Sequence, residues 1–154
     1  MTAPGKKKQC FTLIEVLIAI AVISILVAVA YPSYVQYGVR AHRKAAQSFL
    51  LSIANAQERH LTHAPNYAFD TTACDGTALE VLKLSVPREL SGVYSLCVLP
   101  VEGNTLAYTL EARPLGAQKT NDVKYGNCAN LLYDHTGKKD VSGGTGTAAA
   151  CWDR

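Results

Sequence analysis

The feature that most constrains this chain is a long apolar stretch near its N-terminus. Residues 11–31 read FTLIEVLIAIAVISILVAVAY, and Glu15 is the only charged residue among them. In an α-helix, about twenty residues at about 1.5 Å each cover the roughly 30 Å hydrocarbon core of a bilayer. We therefore expect residues 11–31 to form a helix that is long enough and apolar enough to span a membrane.

Charge is distributed unevenly along the chain. Of the 15 Lys and Arg residues, Lys6, Lys7 and Lys8 precede the apolar stretch, and the remaining 12 are balanced by 12 Asp and Glu that all follow residue 10. A short basic segment without acids is typical of the cytoplasmic end of a membrane span. With 154 residues, 49% of them hydrophobic, the chain has room for one small domain beyond the span and is neither a disordered tail nor a large multidomain enzyme.

Four cysteines lie beyond the apolar stretch, and none of them belongs to a CxxC pair: Cys74, Cys97, Cys128 and Cys151. This spacing favours disulfides over a metal site, and disulfides persist outside the cytosol. We therefore expect an exported C-terminal part and a cytoplasmic N-terminus. The sequence leaves all three pairings open; the sequential pairing would close two loops of similar size, each worth about 3 kcal/mol in the chain-entropy model.

A second helical pattern follows the apolar stretch. Between Arg40 and Leu61, apolar residues recur at three- and four-residue spacing, which predicts an amphipathic helix that ends before Pro65. Its buried stripe comprises Ala46, Phe49, Leu50, Ile53, Ala54, Ala56 and Leu61, whereas Arg43, Lys44, Gln47, Glu58 and Arg59 are expected largely on the exposed side. Nearer the N-terminus, Pro32 lacks a backbone N–H donor, so we expect a kink or local melting of the helix there.

The periodicity changes to two after Gly92. Runs at 93–99, 105–111 and 129–133, with a shorter one near 138–141, predict four antiparallel strands. Residues 66–91 are expected to form a connecting loop with a short helix near 79–82. The expected fold class is α+β, with a long N-terminal helix packed on a small antiparallel β-meander.

Two common interpretations of such an N-terminus fit this sequence poorly. Residues 27–30 could imitate the cleavage site of a signal peptide. A cleaved signal peptide, however, has a shorter apolar core, and no helical pattern continues after it. A lipid-anchored cysteine follows its apolar segment, whereas Cys10 precedes this one.

The basic leader, the segment Phe11-Thr12-Leu13-Ile14-Glu15 and the downstream Pro32 resemble the N-terminus of the type IV pilins. The resemblance implies that a membrane aspartyl peptidase cuts between Cys10 and Phe11 and methylates the new amine of Phe11. The family usually has Gly before the cut, where this chain has Cys10. The cut would remove the fifth cysteine together with the leader.

The rest of the chain is similar to minor pilins of the PilE type. The similarity rests on residues 112–118 (ARPLGAQ), on the terminal Cys151-Trp152, and on Asp122, Cys128, Leu131, Asp134, Gly137 and Lys138. It implies the type IV pilin fold, with a basic leader at 1–10, a membrane and filament-core helix at 11–37, an amphipathic helix at 38–63 and a globular head at 64–154.

Glu15 needs a partner, because a carboxylate at the centre of a membrane helix costs about 2.5–3.5 kcal/mol and less near an interface. The resemblance implies that Glu15 meets the N-terminal amine of a neighbouring subunit during filament assembly, which would set the register of the helices. The alternative is a protonated or snorkelling glutamate at the membrane edge.

Nothing in the sequence is typical of an enzyme, since there is no GxSxG, HExxH or P-loop motif. His60 and His63 lie one helical turn apart but lack a third ligand, so we expect no metal and no cofactor. We interpret the chain as a structural subunit, minor rather than major, of a type IV pilus that supports pilus biogenesis, twitching motility or adhesion. Its expected partners are other pilin subunits, the prepilin peptidase and the assembly machinery of the inner membrane.

Nucleic-acid binding is the main alternative, because certain pilins similar to this chain are DNA receptors in natural competence. The candidate contacts in the head are Arg113, Lys119, Lys124, Lys138, Lys139, Arg154, Tyr125 and Tyr133. Because the mature chain is balanced in charge, a solvated rim is favoured over a DNA surface, and Lys138 with Lys139 is the pair to test. A third hypothesis is a pseudopilin of type II secretion, which shares the same stalk.

Overall fold

A computed structural model describes residues 12–153, so the expectations for the leader, Cys10, Phe11 and Arg154 lie outside the described residues. The chain divides into two compact units, with the boundary between Val35 and Gln36. The first helix, α1 (Leu13–Leu61), contributes residues to both units.

In the N-terminal unit, α1 begins behind Thr12, whose hydroxyl accepts the backbone N–H of Glu15 at 3.4 Å. Every side chain from residue 12 to residue 34 is exposed, and this part of α1 is long enough and apolar enough to cross a membrane. The helix is continuous through Pro32. Of the two outcomes expected at Pro32, melting is therefore absent, and a bend stays a prediction.

In the C-terminal unit, α1 supplies the buried stripe that the periodicity predicts, except that Leu61 at its end is only partly buried. Ala46, Leu50 and Ile53 are completely buried, and the helix ends at Leu61, before Pro65. The expectation that Arg43 and Gln47 lie on the exposed side is wrong, because they are only 4% and 6% exposed. Each of them is buried because the head supplies a polar partner, as described below.

The head contains the predicted meander. Its strands are β1 (Tyr94–Val101), β2 (Asn104–Pro114), β3 (Asn130–Asp134) and β4 (Lys139–Ser142), which pair antiparallel in the order β1-β2-β3-β4. Side chains alternate between the two faces of a sheet. The face toward α1 contributes Leu96, Val98, Tyr108, Leu110, Ala112 and Leu131 to the same core cluster as Phe49, Leu50 and Ile53. The α+β class and the meander are thus confirmed.

Three short helices complete the head. The helix α2 (Thr77–Val81) lies in the connecting segment, close to where a short helix is expected. The helices α3 (Gly116–Tyr125) and α4 (Ala148–Trp152) are absent from the sequence-based expectations. The first has too few apolar residues to show a periodicity, and the second is a run of alanines that begins behind Thr147, whose hydroxyl accepts the N–H of Ala150 at 3.2 Å.

Of the three disulfide pairings that the sequence leaves open, the structure has the sequential one. Cys74 is bonded to Cys97 and Cys128 to Cys151, each across 23 residues of sequence. The first bridge fastens the connecting segment to β1. The second fastens α4 to the segment between α3 and β3.

Candidate functional site

The exposed apolar surface of α1 is the first candidate site. In the N-terminal unit, large side chains on all sides of the helix are open to solvent, for example Leu17 at 54% and Ile25 at 66% exposure. A soluble chain rarely leaves such a continuous apolar surface uncovered. Glu15 lies in the first turn of this helix. The surface is therefore suited to lipid or to identical helices of other subunits, with Glu15 as its one charged group.

In the C-terminal unit, α1 is joined to the head by buried polar contacts. The guanidinium of Arg43 donates to the carboxylate of Asp122 on α3. Gln118 of the same helix donates its side-chain amide to the backbone carbonyl of Val39 and to the hydroxyl of Tyr94, both at 3.1 Å. These contacts fix α3 against α1.

The C-terminal disulfide region is held by the next turn of α1. The side-chain amide of Gln47 donates to the carbonyl of Cys151 at 2.7 Å, and the ammonium of Lys44 donates to the carbonyl of Trp152 at 2.9 Å. The indole N–H of Trp152 in turn donates to the carbonyl of Asp140 on β4 at 3.0 Å. The region therefore contacts both the long helix and the edge strand of the sheet.

The two lysines that the sequence selects as a DNA-contact pair diverge in the structure. The ammonium of Lys138 lies 3.0 Å from a carboxylate oxygen of Asp140, on the sheet face turned away from α1. The ammonium of Lys139 lies 5.5 Å from the centre of the Trp152 ring. Lys138 immediately precedes β4 and Lys139 begins it. Their ammonium groups contact different residues, so the structure does not bring the two lysines together at one site.

On the outer sheet face, two cations are each paired with an acid. Arg113 donates to Glu111 at 2.6 Å, and this hydrogen bond raises the pKa of Arg113. The hydrogen bond to Asp140 raises the pKa of Lys138. The pKa of Asp140 is lowered first by the N–H of Val141 and then by Lys138. Because each of these two cations is paired with an acid, this face is a poor surface for a polyanion.

A different basic surface lies around Trp152, and sequence reasoning did not identify it. Lys44 from α1 and Lys139 from β4 both contact Trp152, and neither has a carboxylate partner within residues 12–153. Arg40 shares a groove with Lys44 on the exposed side of α1. We call Arg40, Lys44 and Lys139 the Trp152 basic surface. These cations come from elements that are far apart in sequence and meet only in the folded chain. No local sequence pattern therefore indicates the surface.

The remaining candidates are dispersed. Lys119 and Lys124 are exposed on α3, where the ammonium of Lys124 lies 5.2 Å from the ring centre of Tyr125. Tyr133 is half-buried, with its ring centre 6.0 Å from that of Trp152. Within residues 12–153 no three His, Cys, Asp or Glu side chains are grouped as a metal site would require.

Comparison with known proteins identifies two matching family models. The model described as "Type IV minor pilin ComP, DNA uptake sequence receptor" matches residues 32–132, and the model of the prokaryotic N-terminal methylation motif matches residues 5–31. Among solved structures, a type IV pilin from Shewanella oneidensis is similar. It is 24% identical, the alignment covers 75% of this chain and 99% of that chain, and the TM-score is 0.48.

Proposed function

Because the chain belongs to the family of the type IV minor pilin ComP, whose model matches more than half of it, we propose how this pilin is anchored, assembled and used. It is a structural, non-enzymatic subunit. We propose that α1 first holds the precursor in the inner membrane, with the leader in the cytoplasm and the head outside. The same helix then becomes part of the filament core.

The uncovered apolar surface of α1 carries this proposal. All the side chains of residues 12–34 are exposed in the isolated chain, and a surface made of Ile, Leu, Val and Ala can exchange lipid for other pilin helices with little change in its surroundings. Two disulfides in the head support export to an oxidising compartment.

The match to the methylation motif at residues 5–31 supports a proposal for processing. We propose that the prepilin peptidase cuts between Cys10 and Phe11 and methylates Phe11, and that Glu15 then pairs with the new amine of a neighbouring subunit. When the helices are aligned, the charge of Glu15 is paired with this amine; when they are misaligned, it stays unpaired in apolar surroundings. The pairing therefore favours the aligned arrangement. The inner-membrane assembly machinery and the other pilins are the proposed partners.

The test is Glu15→Gln in piliated cells that lack their own copy of this protein, with Ser24→Ala on the same helix as the matched control. In the part of the chain that the structure describes, the hydroxyl of Ser24 donates only to the carbonyl of Ile20 in the same helix. We expect the Glu15 variant to reach the membrane and to be nearly absent from sheared filaments, whereas the Ser24 variant incorporates normally. Mass spectrometry of both fractions reports cleavage and methylation. Incorporation of Glu15→Gln at the unmodified level would contradict the proposed role of Glu15.

A second function, reception of DNA during uptake, is favoured by two observations. The matching family model describes a DNA uptake sequence receptor, and the Trp152 basic surface offers cations that no carboxylate within residues 12–153 neutralises. Phosphate contacts by such cations supply the sequence-independent part of DNA affinity. We place the DNA backbone against Lys44 and Lys139, not against Lys138.

This second function is tested by DNA binding at several salt concentrations. Lys44→Gln/Lys139→Gln should weaken binding. It should also make the slope of log affinity against log salt concentration shallower, by the amount that corresponds to about two phosphate contacts. Arg113→Gln/Lys138→Gln is the matched control, since it removes two cations that are each paired with an acid. Equal losses in both double variants would argue against the Trp152 basic surface. No binding by the unmodified protein would leave pilus biogenesis, twitching or adhesion as its role.

A further inference from the structure

A small groove at the junction of α1 and α2 collects basic side chains that the functions above do not use. It has a volume of about 150 Å³ and is lined by Ala56, Arg59 and His60 of α1 and by Val81, Leu82 and Lys83 at the end of α2. Among residues 12–153, no acidic residue lines it. Pockets for drug-sized ligands measure about 300–1,000 Å³, so this groove has room for one small group.

The basic residues at the end of α1 are not needed to cap the helix. The carbonyl of Arg59 accepts the N–H of Thr62 at 3.3 Å and its hydroxyl at 2.7 Å. The carbonyl of His60 accepts the N–H groups of His63 and Ala64, both at 3.0 Å. Because the last carbonyls already have donors, the side chains of Arg59 and His60 are available to a ligand.

Lys83 reaches the groove from a position that ordinarily belongs to glycine. Its φ is 56°, its N–H donates to the carbonyl of Glu80 at 3.0 Å, and the N–H of Leu84 donates to the carbonyl of Leu79 at 2.9 Å. This pattern is the Schellman cap, in which a left-handed residue follows the helix and is usually Gly. A non-glycine residue held in that conformation costs about 1–3 kcal/mol, and such strain concentrates at functional sites.

The neighbouring carboxylates do not neutralise the groove. A carboxylate oxygen of Glu58 accepts the hydroxyl of Tyr67 at 2.9 Å, and Glu80 is exposed and does not line the groove. Within residues 12–153, neither Arg59 nor Lys83 has an ion-pair partner. The groove therefore presents two uncompensated cations and an imidazole above an apolar floor.

We propose that this groove binds a phosphate group. The planar guanidinium of Arg59 suits two parallel hydrogen bonds to phosphate oxygens, Lys83 adds a point charge, and the ring N–H of His60 adds a further donor. Two sources carry that group, a free phosphomonoester and the backbone of a nucleic acid. The proposal does not depend on the Trp152 basic surface.

The test uses the full-length protein in nonionic detergent, titrated calorimetrically with AMP and with a short DNA duplex. Arg59→Gln/Lys83→Gly should weaken binding by about tenfold or more, whereas Lys119→Gln/Lys124→Gln on α3 should leave AMP binding unchanged. Lys83→Gly alone should weaken binding and still raise the thermal stability, since glycine relieves the left-handed strain. A stable fold with weaker binding separates the ligand role from a structural one.

The two titrants identify the source of the phosphate. If Arg59→Gln/Lys83→Gly weakens only AMP binding, the ligand is a free phosphomonoester; if it weakens only duplex binding, the groove holds a backbone phosphate. Lys44→Gln/Lys139→Gln should leave AMP binding intact, so failure of the DNA-receptor proposal remains distinguishable. Absence of binding to either titrant at millimolar concentration, or equal weakening in the α3 control, would overturn the proposal.

Discussion

Arg43 of α1 and Asp122 of α3 form an ion pair in which both side chains are almost fully buried, at 4% and 1% exposure. The other carboxylate oxygen of Asp122 accepts the N–H of Ala129 at 2.7 Å, and the carbonyl of Asp122 accepts the N–H of Asn127 at 2.6 Å. Asp122 therefore joins the long helix, α3 and the turn that carries Cys128.

Replacing Asp122 by Ala should lower the free energy of unfolding by about 3–5 kcal/mol, because it leaves the charge of Arg43 buried without a partner. The measurement is urea unfolding of the full-length protein in detergent, followed by the fluorescence of Trp152, the one tryptophan of the chain. Lys138→Ala, which removes an exposed pair, should cost about 0–1 kcal/mol.

The double variant Arg43→Met/Asp122→Leu separates charge from packing. The Nε atom of Arg43 is buried without a hydrogen-bond partner among the described residues, so the desolvation of the pair is incompletely compensated. Apolar replacement of a buried pair is often neutral or stabilising. We expect the double variant to recover most of the stability that Asp122→Ala loses. A double variant as unstable as the single one would show that the unpaired charge is not the cause.

Removal of the Cys128–Cys151 disulfide should expose Trp152 to solvent, whereas removal of the Cys74–Cys97 disulfide should not. Loss of either bridge is expected to cost about 2–5 kcal/mol. The Cys128–Cys151 bridge also positions α4, where Trp152 is 5% exposed. Cys128→Ser/Cys151→Ser should therefore shift the tryptophan emission to longer wavelength in the folded protein, whereas Cys74→Ser/Cys97→Ser should leave it unchanged. The same shift in both variants would mean that α4 is held by the fold as a whole.

The parts of the fold with a local periodicity were predictable, and the parts that depend on distant partners were not. The stripe around Leu50 and the four strands follow from spacing within a few residues. Arg43 and Gln47 look like exposed helix residues because their partners, Asp122 and the Cys151 carbonyl, lie 79 and 104 residues away. The separation of Lys138 from Lys139, by contrast, could have been derived from the alternation of side chains in the predicted strand.

Asp75 should make stability depend on pH in acid. Hydrogen bonds from the hydroxyl of Thr71, from the N–H and hydroxyl of Thr77 and from the N–H of Thr72 hold the pKa of Asp75 far below its ordinary range. An unfolded aspartate binds its proton near pH 4. Asp75 therefore stabilises the fold fully above about pH 4, and this contribution declines as the pH falls toward the lower folded pKa.

The expected result is a fall in the melting temperature of the unmodified protein from pH 4 to pH 2 that is shallower in Asp75→Asn. Glu80→Gln, which removes an exposed carboxylate without a side-chain hydrogen bond among the described residues, is the matched control and should keep the original slope. Calorimetric scans at half-unit intervals of pH measure both. Parallel curves for Asp75→Asn and the unmodified protein would contradict the assignment.

Two glycines should respond in opposite directions to the same substitution. A Cβ at Gly144 would overlap the carbonyl oxygen of Asn127 and lie 3.2 Å from the Cβ of Ala129, whereas a Cβ at Gly38 would meet no described atom within 4 Å. Gly144→Ala should therefore cost about 1–3 kcal/mol, since the backbone of Asn127 cannot yield easily. Gly38→Ala, inside α1, should add about 0.5–1 kcal/mol through better helix propensity. Urea unfolding of both variants measures the difference, and a Gly144→Ala protein as stable as the unmodified one would show that the segment before α4 is not closely packed on Asn127.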